Sequence, residues 1–300
     1  MSAVFDHRQV RRAFSRAAPG YDAAAALQRE IEARLLDSLE FHPAKYGDKQ
    51  PPQRVLDVGS GPGRAAAAMR RRWPRAQVLA LDLALPMLHE ARSRDRWRPL
   101  RRGVERVCAD ARALPLADNS IDVLFSNLCL QWVEDLPAVF AGFRRVMRPG
   151  GLLLLSTFGL DTLHELRSAF AQADATPHVS PFASIALFGD ALMHAGFRDP
   201  VLDRDTTITH YRDLPALMRE LRALGATNAL QARRHTLTGK ARFARAAAAY
   251  ARESGGGSGL PATWETITAM AWAPPAGAPI REGGAEIARF PAAAIPIRRR

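Results

Sequence analysis

Short apolar runs alternate with helix-period stretches through the middle of the chain. Arg54–Val58 is a brief apolar run that ends in glycines, and Gln77–Asp82, Val104–Ala109, Ile121–Asn127 and Leu152–Thr157 read as further strands. Between them, Arg64–Trp73 (closed by Pro74), Ala84–Arg92 and Ala138–Met147 carry helical spacing, the last stopped by an Arg148-Pro149-Gly150-Gly151 turn. This alternation predicts βαβ units and a parallel sheet with helices on both faces. Gln9–Ser15 and Ala23–Leu39 are helical segments ahead of it, separated by a Pro19-Gly20 break. Asp161–Ala173, Ser184–Ala195, Leu214–Leu224 and Lys240–Glu253 are helical segments after it, with late strands at Val201–His210 and Thr263–Trp272. The predicted organisation is an N-terminal helical lid over 1–50, a core domain over 51–272 with a helical insertion at 213–255, and a tail at 273–300. That tail is rich in Pro, Ala and Gly and is expected to pack poorly.

Composition narrows the class. At 300 residues, 47% hydrophobic and 24% charged, the chain is expected to be soluble and globular. It contains no run of eighteen apolar residues, and its first residues lack a secretory pattern, so neither a membrane span nor secretion is expected. Cys108 and Cys129 make no disulfide framework and no zinc spacing; no metal is expected, and the setting predicted is cytoplasmic. The net charge is +12, yet only three of the 42 basic residues are lysines, which points to compositional bias rather than a nucleic-acid footprint. No nucleic-acid partner is expected. Between Arg64 and Arg106 twelve arginines face four acids, a field that would steer an acidic partner or simply coat solvated helix faces. Nothing in the sequence signals an oligomeric state.

The most informative string is Val55-Leu56-Asp57-Val58-Gly59-Ser60-Gly61-Pro62-Gly63. A strand ends in a carboxylate, and Gly59, Gly61 and Gly63 follow at every second position. Glycine allows positive φ and close backbone approach to a ligand, and the next helix aims its N–H groups into the same crevice. The spacing is neither the dinucleotide form nor a phosphate-binding loop. Asp82 ends the second strand, where a carboxylate can accept from both hydroxyls of a ribose. Asp110, followed by Ala111, ends the third strand and could take an adenine amino group. All three acids fall at strand C-termini, where open α/β sheets bind ligands.

These motifs, with the Pro-Gly-Gly before strand five, resemble the class I S-adenosylmethionine-dependent methyltransferases. The resemblance implies a Rossmann-like seven-stranded sheet whose last strand is antiparallel, and S-adenosyl-L-methionine as cofactor. It implies Asp57 near the methionine amino group, Gly59–Gly63 beneath the cofactor, Asp82 on the ribose and Leu83 and Met87 flanking the adenine. Asn127 and Leu128 would face the methionine and the substrate, with Gln131 near the cofactor and Trp132 in the core wall. The Val10-Arg11-Arg12-Ala13-Phe14-Ser15-Arg16-Ala17-Ala18 segment, Tyr21-Asp22, Leu27-Gln28-Arg29-Glu30, Phe125–Trp132, Phe158–Leu166, His178-Val179-Ser180-Pro181-Phe182 and Leu224–Asn228 are similar to the malonyl-acyl-carrier-protein O-methyltransferases of biotin synthesis.

That family resemblance implies methyl esterification of the free carboxylate of malonyl-acyl-carrier protein. Candidate substrate-positioning residues are Tyr21, as a lid over the cofactor, His178, in a polar loop, and Arg233 and Arg234, for the malonyl carboxylate or a carrier phosphate. No catalytic base is required. Trp264 and Trp272 read as packing residues on the last strand. Gly159–Arg167 and the His178–Phe182 string also resemble a complex I assembly factor that hydroxylates arginine on a methyltransferase fold, which is the alternative reading. A small-molecule C-methyltransferase shares only the core motifs.

Overall fold

The computed structural model describes residues 4–41, 51–94, 103–236, 239–255, 259–278, 280–282 and 285–287. Its centre is a seven-stranded sheet in the order β3-β2-β1-β4-β5-β7-β6. The strands are β1 (Arg54–Val58), β2 (Gln77–Asp82), β3 (Glu105–Cys108), β4 (Ile121–Asn127), β5 (Met147–Phe158), β6 (Arg198–Tyr211) and β7 (Leu260–Trp272). β1 to β5 pair in parallel, and β7 runs antiparallel to both β5 and β6. This is the sheet that the resemblance implied.

Period-two alternation explains why both faces are covered. Val55, Val78, Ala80, Val123, Leu152 and Leu154 enter one core, and Leu56, Leu79, Leu81, Leu124, Leu153 and Leu155 the other. The first core is closed by Leu35 of α3 (Ala26–Asp37) and by Ala65, Ala66 and Met69 of α4 (Arg64–Arg72). The second is closed by Phe140 and Phe143 of α6 (Leu136–Val146) and Phe188 of α8 (Ile185–His194). The Phe140 and Phe188 rings meet edge to face at 5.1 Å.

The chain reverses direction across the sheet between β1 and β4, which opens a crevice at the strand C-termini. Three further sets of helices surround it. α1 (His7–Ala17) and the short α2 (Tyr21–Ala24) cross it from the N-terminus, and α5 (Leu85–Arg94) follows β2. α7 (His164–Ala171), α9 (Leu214–Ala223) and α10 (Lys240–Glu253) form a third apolar core with Phe158, Tyr211 and Trp264. α9 and α10 are inserted between β6 and β7, within the span expected for the insertion.

The structure departs from the sequence reading in three places. Ala23–Leu39 is not one helix: Ala25 leaves helical geometry at ψ 46°, and the Arg29 guanidinium donates to the Asp22 carbonyl across the break. The Arg148–Gly151 segment is not a free turn but a bulge inside β5. Met147 pairs Ile121 and Leu152 pairs Val123, with Gly150 at φ 76° taking up the excess. The tail carries a two-stranded hairpin, β8 (Ile280–Glu282) with β9 (Ala285–Ile287); residues 288–300 lie outside the described residues, as do 42–50 of the expected lid. No helix among the described residues is long and apolar enough to cross a membrane.

Candidate active site

The crevice holds the glycine loop against Asp57 and Asp82, two of the three acids named from sequence. Gly59 and Ser60 N–H groups both donate to the Leu81 carbonyl, at 2.8 and 3.0 Å, tying the loop to β2. Asp57 is 1% exposed and accepts from Ala66 N–H at 3.0 Å, at the start of α4. Asp82 accepts from Gly61 N–H and Ala84 N–H, each at 2.8 Å, so one carboxylate braces both loops of the crevice. Each of its oxygens retains a second lone pair for a ligand hydroxyl.

The loop glycines serve different ends. Gly61 has φ 51°, and a Cβ there would meet nothing within 4 Å; it borders open space in the crevice. Gly63 has φ 73°, and its Cβ would stand 2.7 Å from Ala91 Cβ, so it lets α4 and α5 approach. Gly63 itself lines none of the described cavities.

A first cavity of about 100 Å³ is lined by Asp82. Leu83, Met87, Asp110, Ala111, Asn127 and Leu128 line it together with Gly59 and Gly61, so eight sequence-named positions and Asp82 converge there. Asp110 is already held by Arg112 in a fork at 2.7–3.2 Å, which keeps its carboxyl below the ordinary range. Asn127 donates to the Gln28 carbonyl at 3.1 Å and accepts from Ser156 Oγ at 2.7 Å. Leu128 takes φ 49° and donates its N–H to Ser156. Cys129, next in line, packs so close that a Cβ on Gly59 would stand 2.5 Å from its Cβ and Sγ, and burial beside these acids pushes its thiol up to about 12.

A smaller cavity adjoins it on the α3 side, lined by Asp57, Gly59, Gly61, Tyr21 and Asn127 and by four residues that the sequence reading did not assign: Gln28, Arg29, Glu32 and Arg64. Glu32 lies 3.6 Å from Arg64 Nε, and burial raises its carboxyl. Gln28 Oε1 and Ser60 Oγ are buried without a hydrogen-bond partner among the described residues. A ligand with both an ammonium and a carboxylate suits that mixed set of charges. Tyr21 lines both cavities and packs with Phe14, Ala18, Ala84 and Met87.

The carboxyls carry a pH signature. Burial pushes Asp82 up to about 6, and burial with Glu32 nearby raises Asp57 well above the ordinary range. A raised acid holds its proton more tightly folded than unfolded, so the empty fold loses this stabilisation as pH rises through about 6. A ligand that needs the carboxylate moves the other way. Cofactor affinity is expected to be flat above pH 7 and to fall about tenfold per unit below 6. Calorimetric titrations from pH 5 to 8 test this, and a flat profile would remove the ionised carboxylate from the binding site.

A second, larger cavity opens under α9 and the loop after it. Its walls are apolar at Phe158, Leu163, Phe170, Phe182 and Trp264 and polar at His178, Arg233 and Arg234, three positions named from sequence. His178 stacks on Phe170 at 4.2 Å and faces Asp174 at 3.4 Å. Asp174 also accepts from Arg234 at 3.1–3.3 Å, and the Arg234 guanidinium holds its carboxyl well below the usual range. Arg233 donates to Asp6 at 2.8 Å. Both arginines are therefore already paired with carboxylates, which spacing alone did not reveal.

Gln131 lines this second cavity and not the first, and its amide donates to the Leu128 carbonyl at 2.7 Å. Trp132 lines both cavities, where the sequence reading made it core wall. Trp264 lines the second cavity as well as packing against Phe158 at 5.4 Å. Trp272 is buried against the first core.

An N-terminal strap closes the arrangement. Phe5 bridges Leu230, Asp6 N–H donates to the Ala229 carbonyl, and Gln231 N–H donates to the Val4 carbonyl. Val4 and Phe5 N–H groups donate to Glu134 on the core side, at 2.7 and 3.0 Å. Phe5 and Phe14 then flank Trp132 edge-on at 6.0 and 5.5 Å.

A family model described as a methyltransferase domain matches residues 56–155. Among solved structures, the YcgJ protein of Bacillus subtilis superposes with a TM-score of 0.55, covering 81% of this chain and 99% of that one at 15% identity, a likeness of fold. A malonyl-acyl-carrier-protein O-methyltransferase of Gallionella capsiferriformans is 44% identical over 90% of this chain and 92% of its own. Another of that name, from Xylella fastidiosa, is 59% identical over 100% of this chain and 99% of its own. With relatives this similar along its whole length, the chain belongs to the malonyl-acyl-carrier-protein O-methyltransferase family.

Proposed function

We propose that this protein is an S-adenosylmethionine-dependent O-methyltransferase that esterifies the free carboxylate of malonyl-acyl-carrier protein, a step on the route to the pimeloyl thioester of biotin. Full-length similarity to enzymes of that name carries the reading. The meeting of two cavities at Trp132, one bordered by acids suited to a nucleoside and one largely apolar, supports it. No finding favours the arginine-hydroxylating assembly factor.

The residues present suit the cofactor. Asp82 would take the ribose hydroxyls, Leu83 and Met87 the adenine faces, and Asp57 with Gln28 and Arg64 the amino-acid end. When bound, S-adenosylmethionine would supply an electrophilic sulfonium methyl, open to a carboxylate oxygen, with neutral S-adenosylhomocysteine as the leaving group. A malonyl carboxylate is already ionised at neutral pH, so the protein need supply no base. Its work is alignment and exclusion of water. Phe158, Leu163 and Trp264 form the dry wall, Tyr21 closes the cofactor side, and Trp132 stands at the junction. His178, steadied by Asp174 and Phe170, would orient the thioester arm. Arg234 keeps its second terminal amino group free of Asp174, and that group would reach an anionic part of the substrate.

Mass spectrometry tests this directly. Purified protein with S-adenosylmethionine and malonyl-acyl-carrier protein is expected to add one methyl to the malonyl species and none to acetyl-carrier. Methylation of neither, with cofactor binding demonstrated, would overturn the proposal.

A further inference from the structure

We infer that the outward face of α1 is the docking surface for the acidic carrier protein that presents the thioester; the inference rests on the function proposed above. α1 reads His-Arg-Gln-Val-Arg-Arg-Ala-Phe-Ser-Arg-Ala, with four arginines and no acid. Val10, Ala13 and Ala17 are buried beneath it, which turns Arg8, Arg11, Arg12 and Arg16 outward, and all four are exposed. Arg8, Arg12 and Arg16 recur every fourth residue and form one stripe.

None of these arginines is ion-paired with a carboxylate among the described residues. Elsewhere such pairs are common: Arg34 with Glu30 and Asp205, Arg145 with Asp118 and Arg148 with Asp122. Of the acids near this end of the helix, the N-cap Asp6 is taken by Gln9 N–H and Arg233, and Glu134 by His7 and the Val4 and Phe5 N–H groups. Like charges four residues apart repel along a helix. A partner that brought carboxylates to the stripe would relieve that repulsion.

Position supports the assignment as much as charge. α1 roofs both cavities, since Arg11 lines the first and Gln9 the second. It abuts the loop that follows α9, where a Cβ on Gly225 would lie 3.1 Å from the Phe14 ring. Exposed Arg222, on the last turn of α9, extends the basic face to the edge of the second cavity. A carrier seated there would deliver its prosthetic arm beneath the helix it grips. Arg70, Arg71 and Arg72 of α4, by contrast, sit in its last turn, away from the crevice, because that helix starts at the glycine loop and runs back along the sheet.

The test is a triple substitution, Arg8→Gln/Arg12→Gln/Arg16→Gln, compared with Arg71→Gln/Arg72→Gln/Arg75→Gln at the far end of the sheet. Initial rates are read with malonyl-acyl-carrier protein and with malonyl-pantetheine, which lacks the carrier. The α1 variant is expected to lose about 10- to 100-fold in kcat/KM for the carrier substrate, mainly through KM, and to show a flatter salt dependence. Its rate with malonyl-pantetheine is expected to match wild type, and the far-end variant should behave as wild type with both. Equal losses for the two triples, equal losses on the two substrates, or no loss at all would each overturn the docking surface. Failure of the wild-type protein to methylate either substrate would instead defeat the function on which it rests.

Discussion

Replacing Asp82 with alanine is expected to abolish measurable binding of S-adenosylmethionine while leaving the fold in place. Two ribose hydroxyls donating to one carboxylate are worth about 3–4 kcal/mol together, which is roughly several hundred-fold in affinity. The same change also frees the Gly61 and Ala84 N–H groups, so the two loops that frame the crevice lose their common brace. Asp82→Asn separates these effects, since the amide retains one oxygen for a backbone N–H but loses the charge. It should keep more of the loop order than alanine does and still bind weakly. Calorimetry gives the affinity, and circular dichroism with a thermal melt reports the fold. An Asp82→Ala protein with wild-type affinity would defeat the assignment of the site.

The second large effect contrasts two glycines that are two residues apart. Gly63→Ala is expected to lower stability by about 2–4 kcal/mol, combining left-handed backbone strain with a forced separation of α4 from α5. Ala91 Cβ stands 2.7 Å from where the new methyl would be, and both helices are anchored in the core. Gly61→Ala carries the backbone strain alone, about 1 kcal/mol, because no protein atom lies within 4 Å of its Cβ position. That methyl would occupy space that a cofactor needs, so affinity should fall at least tenfold with little change in stability. Urea denaturation and cofactor titration on both variants give the two axes. The pattern fails if Gly61→Ala destabilises as much as Gly63→Ala.

Much of the core was legible because β1, β2 and β5 are largely apolar runs ended by glycine or an acid. Asp57 and Asp82 stand at such ends, and both lie where that reasoning put them. What escaped the reading depends on contacts between distant parts of the chain. Arg233 looked available because Asp6, its partner, lies 227 residues away in sequence. Arg234 and His178 share Asp174, a residue that no motif singled out. Gln28, Glu32 and Arg64 meet Asp57 only once α3 has packed on α4, and no local spacing announces that. The break at Ala25 was hidden by alanine, the best helix former, since packing and not propensity ends α2 there. The arginine excess between Arg64 and Arg106 drew attention by count; the stripe on α1, half-hidden in a shorter run, is the one beside both cavities.

The strap that joins Phe5 to Leu230 also sets an order of events during synthesis. Its pairing partner emerges only after more than two hundred further residues have been made. Until then α1 has the core beneath it but nothing to hold its leading end on the α9 side. The nascent sheet can assemble with its crevice open to water, and the roof is stitched down when residues 229–231 arrive. Long-range closure of this kind is slow relative to local structure. Folding of this chain should therefore finish at its beginning, with the first residues synthesised among the last to reach their native contacts.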